Sequence, residues 1–447
     1  MKPVNIGIIG LGTVGSGVVN LLHSNAEEIS RRAGRNIIVN QAVVRDLDRA
    51  RDCPTHRFSL TNNPYDITDD PGIDIVVELI GGIEVAKDVT CRSLENGKHV
   101  VTANKALIAE YGNEIFSLAL DKGLTVAFEA AVGGGVSIIK VLREGLSGNV
   151  IKRIVGIING TSNFILSDMS ENAVEFSDSL KEAQRLGFAE ADPKVDVEGV
   201  DAAHKLAILT SIAFGIPLQF DRVHIEGITN ISADDIAYAD DLGYRIKHLG
   251  IAARRRDGIE LRTHPCLVRK DDLLASVNGV MNAIKIEGDA VGSTLHYGAG
   301  AGAKPTASAV VADIVDVVRA LTTDPHNRVP HLAFQPQSLS DVPILEAEST
   351  NTAFYLRLNT VDRPGVLADI TKILGEYSIS IERILQQEIS KVGETVPILI
   401  ITHETSEKSM NQAISEIQAL TCIDREVIRI RLELGSSKRY SLSRDLK

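Results

Sequence analysis

Residues 4–22 read VNIGIIGLGTVGSGVVNLL, and this stretch constrains the fold more than any other. Val4, Ile6, Ile8 and Ile9 form a short apolar run, as a parallel strand covered on both faces requires. The run passes straight into Gly10-Leu11-Gly12-Thr13-Val14-Gly15. An amphipathic stretch follows to about Ala33, with Gly34 placed to end it. Strand, GxGxxG and helix in that order is the context of a dinucleotide-binding turn. Gly10 supplies the tight turn, Gly12 the close approach to a pyrophosphate, and Gly15 the close packing of helix on strand. The helix N-terminus then faces the phosphates.

Further strands are expected to end near Arg45 and to span 73–82 and 98–108, so the first domain is an open parallel sheet. At the tip of the second strand Arg45 suits a 2′-phosphate and the neighbouring Asp46 suits a ribose hydroxyl, which leaves NADP and NAD both open. Lys105 follows a buried strand and falls at the ligand edge of the sheet.

The length of 447 residues corresponds to about three domains. At 44% apolar and 24% charged residues the chain is not disordered, and no apolar run is long enough for a membrane span. A net charge of −12 argues against a nucleic-acid partner. The four cysteines are widely spaced with no CxxC pair, which excludes a zinc knuckle or disulfide scaffold and makes the cytoplasm the expected compartment. There are 36 glycines but no Trp, so recognition is expected to run through backbone rather than stacked rings.

In the middle of the chain, Gly133, Gly134 and Gly135 precede a helical stretch; such a loop suits a ligand, a cation or a hinge. A strand over 151–161 leads to Thr161, Ser162 and Asn163. The segment 183–215 then carries Gly187, a loop with Glu190, Asp192, Asp196 and Glu198, and a helix from about Val200. Asp201 and Lys205 stand four residues apart on it, in line with Ile208, Leu209 and Ile212. That alignment predicts an inward-facing charged pair, with an ordinary exposed ion pair as the alternative. His204 faces elsewhere and reads as a packing residue.

The pattern Ala183-x3-Gly187-Phe188-Ala189-x2-Asp192-Pro193-x2-Asp196-Val197-x-Gly199-x-Asp201-x3-Lys205 resembles the signature of homoserine dehydrogenases. GLGTVG, TANKALIA, EAAVGGG, NGTSNFIL and GAGAGAKPTASAVVADI (298–314) resemble that family's segments in order, over roughly residues 4–325. The resemblance implies reversible NAD(P)H-dependent reduction of L-aspartate 4-semialdehyde to L-homoserine, in the synthesis of threonine, methionine and isoleucine. It implies that Gly10, Leu11, Gly12, Thr13, Val14, Gly15, Arg45, Lys105 and Gly302 hold the dinucleotide. Glu190, Gly187, Asp196 and Thr161 would take the substrate; Lys205 would donate the proton, with Lys105 and Asp201 beside it. It also implies a sodium ion on the main-chain carbonyls of Glu129, Val132, Gly134 and Val136, and a homodimer or homotetramer. Independently, aldehyde reduction calls for a cation beside the developing alkoxide, which a lysine supplies.

A polar, Pro-containing linker follows over 326–350. From residue 351 to 434 the pattern is βαββαβ, with the turn Asp362-Arg363-Pro364-Gly365 after an alternating, half-buried first strand. This resembles an ACT regulatory domain. The resemblance implies an amino-acid effector, threonine first, held by Asn359, Asp362, Gly365 and Val366, and a domain that could be cut away near residue 345 without harm to catalysis. Residues 435–447 read as a solvated polar tail. The expected architecture is therefore α/β: a Rossmann-type parallel sheet over 1–130, an α+β substrate and dimerisation domain over 131–325 whose helix from about 304 returns to the first domain, and a ferredoxin-like plait. The competing reading is an amino-acid-responsive redox-sensing regulator without catalysis, which would leave Lys105 and the Asp201–Lys205 pair without a role.

Overall fold

The computed structural model describes residues 2–386 and 395–435. All but the first residue of the expected polar tail lies outside them.

The first domain is built on β1 (Val4–Ile9), β2 (Ile37–Val43), β3 (Ser59–Thr61), β4 (Ile75–Glu78), β5 (His99–Thr102) and β6 (Val126–Ala127). They lie in the order β3-β2-β1-β4-β5-β6 with every pair parallel. Helices α1 (Thr13–Ser24), α2 (Ala26–Ala33), α3 (Tyr65–Thr68), α4 (Glu84–Glu95) and α5 (Lys105–Asp121) connect them. The helix expected to run to Ala33 is in fact two, parted at Asn25, and Gly34 ends the second with φ 76°. β1 is apolar throughout because both its faces are covered. Ile6 and Ile8 pack with Val18 and Val19 of α1, and Ile9 packs on Ile67, Val76 and Val89. Strand order reverses between β1 and β4, which opens the crevice where doubly wound sheets take their ligands.

A Gly-rich turn and α6 (Ile138–Lys140) lead to a second sheet. Its middle-domain strands are β7 (Ile151–Ile157), β8 (His224–Ile225), β9 (Tyr244–Arg254), β10 (Ile259–Arg269), β11 (Met281–Gly288) and β12 (Gly292–Ala299). Between them run α7 (Gly160–Asn172), α8 (Phe176–Arg185), α9 (Lys194–Val197), α10 (Val200–Phe214) and α11 (Ala233–Asp241). The strand expected to reach residue 161 stops at Ile157, and Thr161, Ser162 and Asn163 lie in the first turn of α7, capped by the Asn159 side chain. α12 (Ala303–Ala320) returns to the first domain, where Ala307, Val310 and Ile314 join the core beside β1.

α10 is buried on every side from Asp201 to Phe214, not along one stripe. It lies between β9 and β10 on one side and α5 of the first domain on the other. A helix apolar all round is a buried helix, and the run Leu206–Leu209 with Ile212 to Phe214 carried that signal.

The expected linker is a packed strap. His331 stacks on Phe116 with ring centroids 4.8 Å apart, and its Nε2 accepts the Val126 amide at 3.1 Å. Further on, Phe334 lies over Gly215 at the end of α10, and Ile344 bridges to Ile259 of β10. The strap therefore crosses both preceding domains.

The C-terminal elements are β13 (Asn351–Thr352), β14 (Phe354–Val361), α13 (Val366–Glu376), β15 (Ile381–Gln386), β16 (Thr395–Thr402), β17 (Thr405–Ser406), α14 (Glu407–Gln418) and β18 (Ile428–Glu433). The order β18-β14-β16-β15, antiparallel throughout, is the expected plait. Two features differ from expectation. β14 is buried on both faces: Phe354, Leu356 and Leu358 face α13 and α14, while Tyr355 and Arg357 meet Asp235 of α11. And β18 pairs in parallel with β10, Cys266 opposite Arg431, so one sheet runs β12-β11-β7-β9-β10-β18-β14-β16-β15 across the two domains. The C-terminal domain thus shares one sheet with the middle domain.

Candidate active site

The turn after β1 is shaped by two contacts that only glycine allows. Gly10 has φ 108°, and a Cβ there would lie 2.7 Å from the Leu79 carbonyl oxygen. A Cβ on Gly15 would overlap the carbonyl of Gly10. Gly12, by contrast, faces open space. No side chain caps the first turn of α1, so its amides point into a cleft of about 1470 Å³. Gly10, Leu11, Gly12 and Thr13 line that cleft with Arg45, Asp46, Arg49, Gly81, Gly82 and Lys304. Gly302, with φ 116°, starts α12 beside it. An uncapped helix N-terminus reached over an open glycine fits a pyrophosphate.

Lys105 is set by a polar chain that crosses from β4 to α5. Glu78, fully buried, accepts the Thr102 hydroxyl at 2.6 Å; Thr102 accepts the Asn104 amide; and Asn104 caps α5 by accepting the Leu107 amide at 3.1 Å. The Asn104 side chain also donates to Gly82 at 2.6 Å. Burial pushes the Glu78 carboxyl up, against the pull of its hydrogen bonds. Lys105, first residue of the helix, therefore leaves the cofactor edge of the sheet pointing at the middle domain.

There it meets Asp201. Lys105 Nζ lies 3.0 Å from Asp201 Oδ1, and Lys205 Nζ lies 2.6 Å from Oδ2. Lys205 also donates to the Ile158 carbonyl at 2.9 Å. The Asn159 amide donates to Asp201 and to Asp196, both at 2.8 Å. One buried carboxylate thus bridges two ammonium groups from different domains. The Lys205 side chain is 11% exposed and that of Lys105 40%, so the second is the more accessible. Burial alone would raise the Asp201 carboxyl, but the two lysines outweigh it and hold it well below the usual carboxylate range. Asp201 in turn holds Lys105 above the ordinary lysine value. Asp196 is pushed up by burial and by Asp201.

The remaining expected substrate residues lie on α7 and on the loop after α8. Gly187, with φ 77°, ends α8, and the loop after it carries Glu190, exposed and near enough to raise Lys105. The Thr161 hydroxyl donates to the Phe188 carbonyl at 2.7 Å, which ties that loop to α7. His204 stacks on Phe220 and meets Glu110 of α5 at 3.3 Å, as a packing residue should. Asn159 and Glu78 were not anticipated from sequence, and Asn104 read only as a neighbour of Lys105 at the ligand edge of the sheet. The Asn before a helix start was a readable cap signal at 104 and 159; Glu78 reads only as the end of an apolar strand.

The profile described as "Homoserine dehydrogenase, NAD binding domain" matches residues 10–129, and that described as "Homoserine dehydrogenase" matches 138–315. A homoserine dehydrogenase of Pseudomonas aeruginosa is 58% identical over 97% of this chain and 99% of its own. The chain belongs to the homoserine dehydrogenase family. It is an NAD(P)-dependent oxidoreductase, and its first sheet is the nicotinamide-cofactor domain. The homoserine dehydrogenase of Bacillus subtilis is 38% identical over 97% of this chain and 99% of its own. The crystal structure of a homoserine dehydrogenase from Thiobacillus denitrificans superposes with a TM-score of 0.92 at 59% identity, covering 97% of this chain and 98% of that one. An "ACT domain" profile matches residues 354–422, which makes the plait an ACT domain.

Two other sites carried over from family resemblance have these surroundings. The loop with Glu129, Val132, Gly134 and Val136 is pinned from below: the Glu129 carboxylate accepts the amides of Ile139 and Lys140, and its own amide donates to Asp313 at 2.8 Å. A Cβ on Gly134, whose φ is 43°, would lie 2.7 Å from the Gly300 carbonyl oxygen. Among the described residues, no hydrogen bond from another element reaches the carbonyls of Val132, Gly134 or Val136. In the ACT domain, Asp362 and Gly365 are exposed, Val366 is buried, and the Asn359 carbonyl accepts the Asp424 amide. Among those residues, no helix is long and apolar enough to cross a membrane.

Proposed function

We propose that this chain interconverts L-aspartate 4-semialdehyde and L-homoserine. The observation that carries the reading is the Asp201 carboxylate shared by Lys105 and Lys205, with Lys105 next to Asn104, which donates to Gly82 of the dinucleotide cleft. A nicotinamide dinucleotide, when bound, supplies or takes up the hydride at the aldehyde carbon. The chain's own part is electrostatic. As the carbonyl oxygen gains charge, the ammonium of Lys105 stabilises it and Lys205 gives it a proton; in the reverse direction Lys205 takes the hydroxyl proton back. Asp201 keeps the two cations close without letting either leave. Glu190 faces the substrate ammonium, Gly187 offers backbone, Asp196 orients the loop, and Thr161 holds the loop in place.

NADP is the preferred dinucleotide in this reading. Asp46 Oδ1 accepts the amides of Asp48 and Arg49, which commits that oxygen to its own loop, and the Arg45 guanidinium stands exposed beside it at the cleft. A hyperthermophilic archaeal homoserine dehydrogenase, 27% identical with a TM-score of 0.59, is described in complex with NADPH. The unshared carbonyls of Val132, Gly134 and Val136 would hold a sodium ion beside Glu129, fixing the hinge between the first two domains; oxygen donors suit such a hard cation. Threonine acts as effector at Asn359, Asp362, Gly365 and Val366, in a homodimeric or homotetrameric cytoplasmic enzyme of threonine and methionine synthesis.

The test is spectrophotometric. Homoserine oxidation at alkaline pH should proceed with a lower KM for NADP than for NAD, and Arg45→Ala should raise the NADP value alone. No turnover with either dinucleotide would overturn the function; an equal effect of the variant on both would overturn the NADP assignment.

A further inference from the structure

The turn that presents Asp196 and Asp201 is held from two sides. On one side lies Asn159. On the other lies a three-residue segment after β8, Glu226-Gly227-Ile228, that plays no part in the chemistry above. The Ile228 amide donates to the Val197 carbonyl at 2.8 Å. A Cβ on Gly227 would overlap that same carbonyl and lie 2.6 Å from Glu198 Cα. A Cβ on Gly199 would lie 3.1 Å from the Glu226 carbonyl oxygen, which His248 Nε2 meets at 2.9 Å. Val197, Glu198 and Gly199 thus rest on the backbone of Glu226 and Gly227 with no slack.

The Glu226 side chain points the other way, into the ACT domain. Arg431 of β18 donates to both its oxygens, at 2.7 and 2.8 Å. Arg431 is 2% exposed and also reaches Glu407 at the start of α14, with Nε to Oε2 at 2.9 Å. His224 Nε2 lies 2.9 Å from Glu226 Oε1, and Arg429 of β18 reaches the same oxygen at 3.4 Å. A guanidinium so buried, with two carboxylates for partners, fixes the position of whatever it grips.

We infer that Glu226 is a positioning residue for the substrate side of the active site, and that its ion pairs with β18, chiefly with Arg431 and more weakly with Arg429, are where the ACT domain bears on that site. Its backbone seats the turn from Asp196 to Asp201; its carboxylate is gripped by the last strand of the chain. A shift of β18 against β10 therefore moves the turn before it moves the dinucleotide cleft, which lies in another domain. The inference rests on the homoserine reading proposed above.

The experiment uses the full chain and Glu226→Gln, which keeps the shape and removes the charge. Homoserine and NADP are each varied at saturation of the other, and the melting temperature is measured alongside. The expected result is a homoserine KM raised about five-fold or more, in the range of intersite coupling energies, with the NADP KM within about two-fold of wild type. Arg431→Lys, which keeps the charge but cannot grip two carboxylates in pairs, should give the same split, and it carries the test if Glu226→Gln does not fold. A homoserine KM within about two-fold of wild type, whatever the melting temperature, overturns the inference, as does a rise shared equally by NADP. A wild-type chain that fails to oxidise homoserine overturns the function and this inference together; an active wild type with an unaffected variant overturns only the inference.

Discussion

Asp201→Asn removes one charge from a buried cluster and changes almost no volume. Oδ2 accepts from both Lys205 and Asn159, whereas Oδ1 accepts from Lys105 alone. The asparagine will therefore keep its oxygen on the Lys205 side and turn its NH2 towards Lys105, two donors face to face. Lys105, already 40% exposed, can swing into water. Lys205 cannot, and stays buried with only neutral acceptors. Removing one partner from a buried ion pair costs about 3–5 kcal/mol; the escape of Lys105 puts this case at the low end, about 3 kcal/mol. For a domain of this size that lowers the melting temperature by about 6 °C or more. The chain has no Trp, so far-UV circular dichroism is the suitable probe. Displacing Lys105 from the reacting oxygen should lower kcat by about 10²–10³-fold, as loss of one preorganised donor does elsewhere. The pH dependence has a definite sign. Asp201 titrates below its unfolded value, so its contribution is complete above about pH 4 and fades as the pH falls through the folded value. Wild type and variant should converge in stability only in strong acid. A variant with kcat within about three-fold of wild type would refute the two-lysine account, since loss of a group that stabilises the transition state costs far more than that.

Three other outcomes follow from particular contacts. Gly15→Ala drives a methyl group into the Gly10 carbonyl and should cost about 1–3 kcal/mol and most of the dinucleotide affinity; dinucleotide titration reads it, and unchanged affinity would refute the packing argument. His331 is held neutral by burial, then by Arg143 and Arg328, and titrates at about 3. As a base with a depressed value it withdraws stability below about pH 6.5, by about 1.4 kcal/mol per pH unit. His331→Leu should lose about 1–3 kcal/mol at pH 7, where the Val126 amide loses its acceptor, yet show a flatter acid slope in urea melts; parallel slopes would refute the neutral histidine. Truncation after residue 345 exposes the Cys266–Val268 end of β10 as an edge and strips Glu226 of Arg431. It should give poorly soluble, weakly active protein, not a deregulated enzyme, and a soluble chain with full kcat would refute this.

What the sequence made legible was short-range. GxGxxG sits in consecutive residues, and Asp201 and Lys205 are one helical turn apart, so spacing alone brought their groups together. The plait was readable for the same reason, since its strands and helices alternate locally. Lys105 and Lys205 meeting on one carboxylate could not be read that way: they lie in different domains and their approach depends on how α5 packs on α10. The Glu78–Thr102–Asn104 chain links two strand ends that are neighbours only in the folded sheet. The strap was hidden because its polar, Pro-rich composition reads as solvated, although Leu332, Ile344 and His331 are the residues that pack. Parallel pairing of β18 with β10 joins residues more than 150 positions apart, and nothing in either strand's alternation announces the partner.

That pairing has a consequence for biosynthesis of the chain itself. β18 is the last strand described, and a nascent chain leaves the ribosome from its N-terminus, with domains folding in order as they emerge. Until β18 emerges, the Cys266–Val268 end of β10, beyond its pairing with β8, is an open edge, a hazard for aggregation. Completion of the middle-domain sheet and completion of the ACT domain are therefore one event. A chain released before β18 is an unfinished sheet that lacks both its last strand and a complete ACT domain.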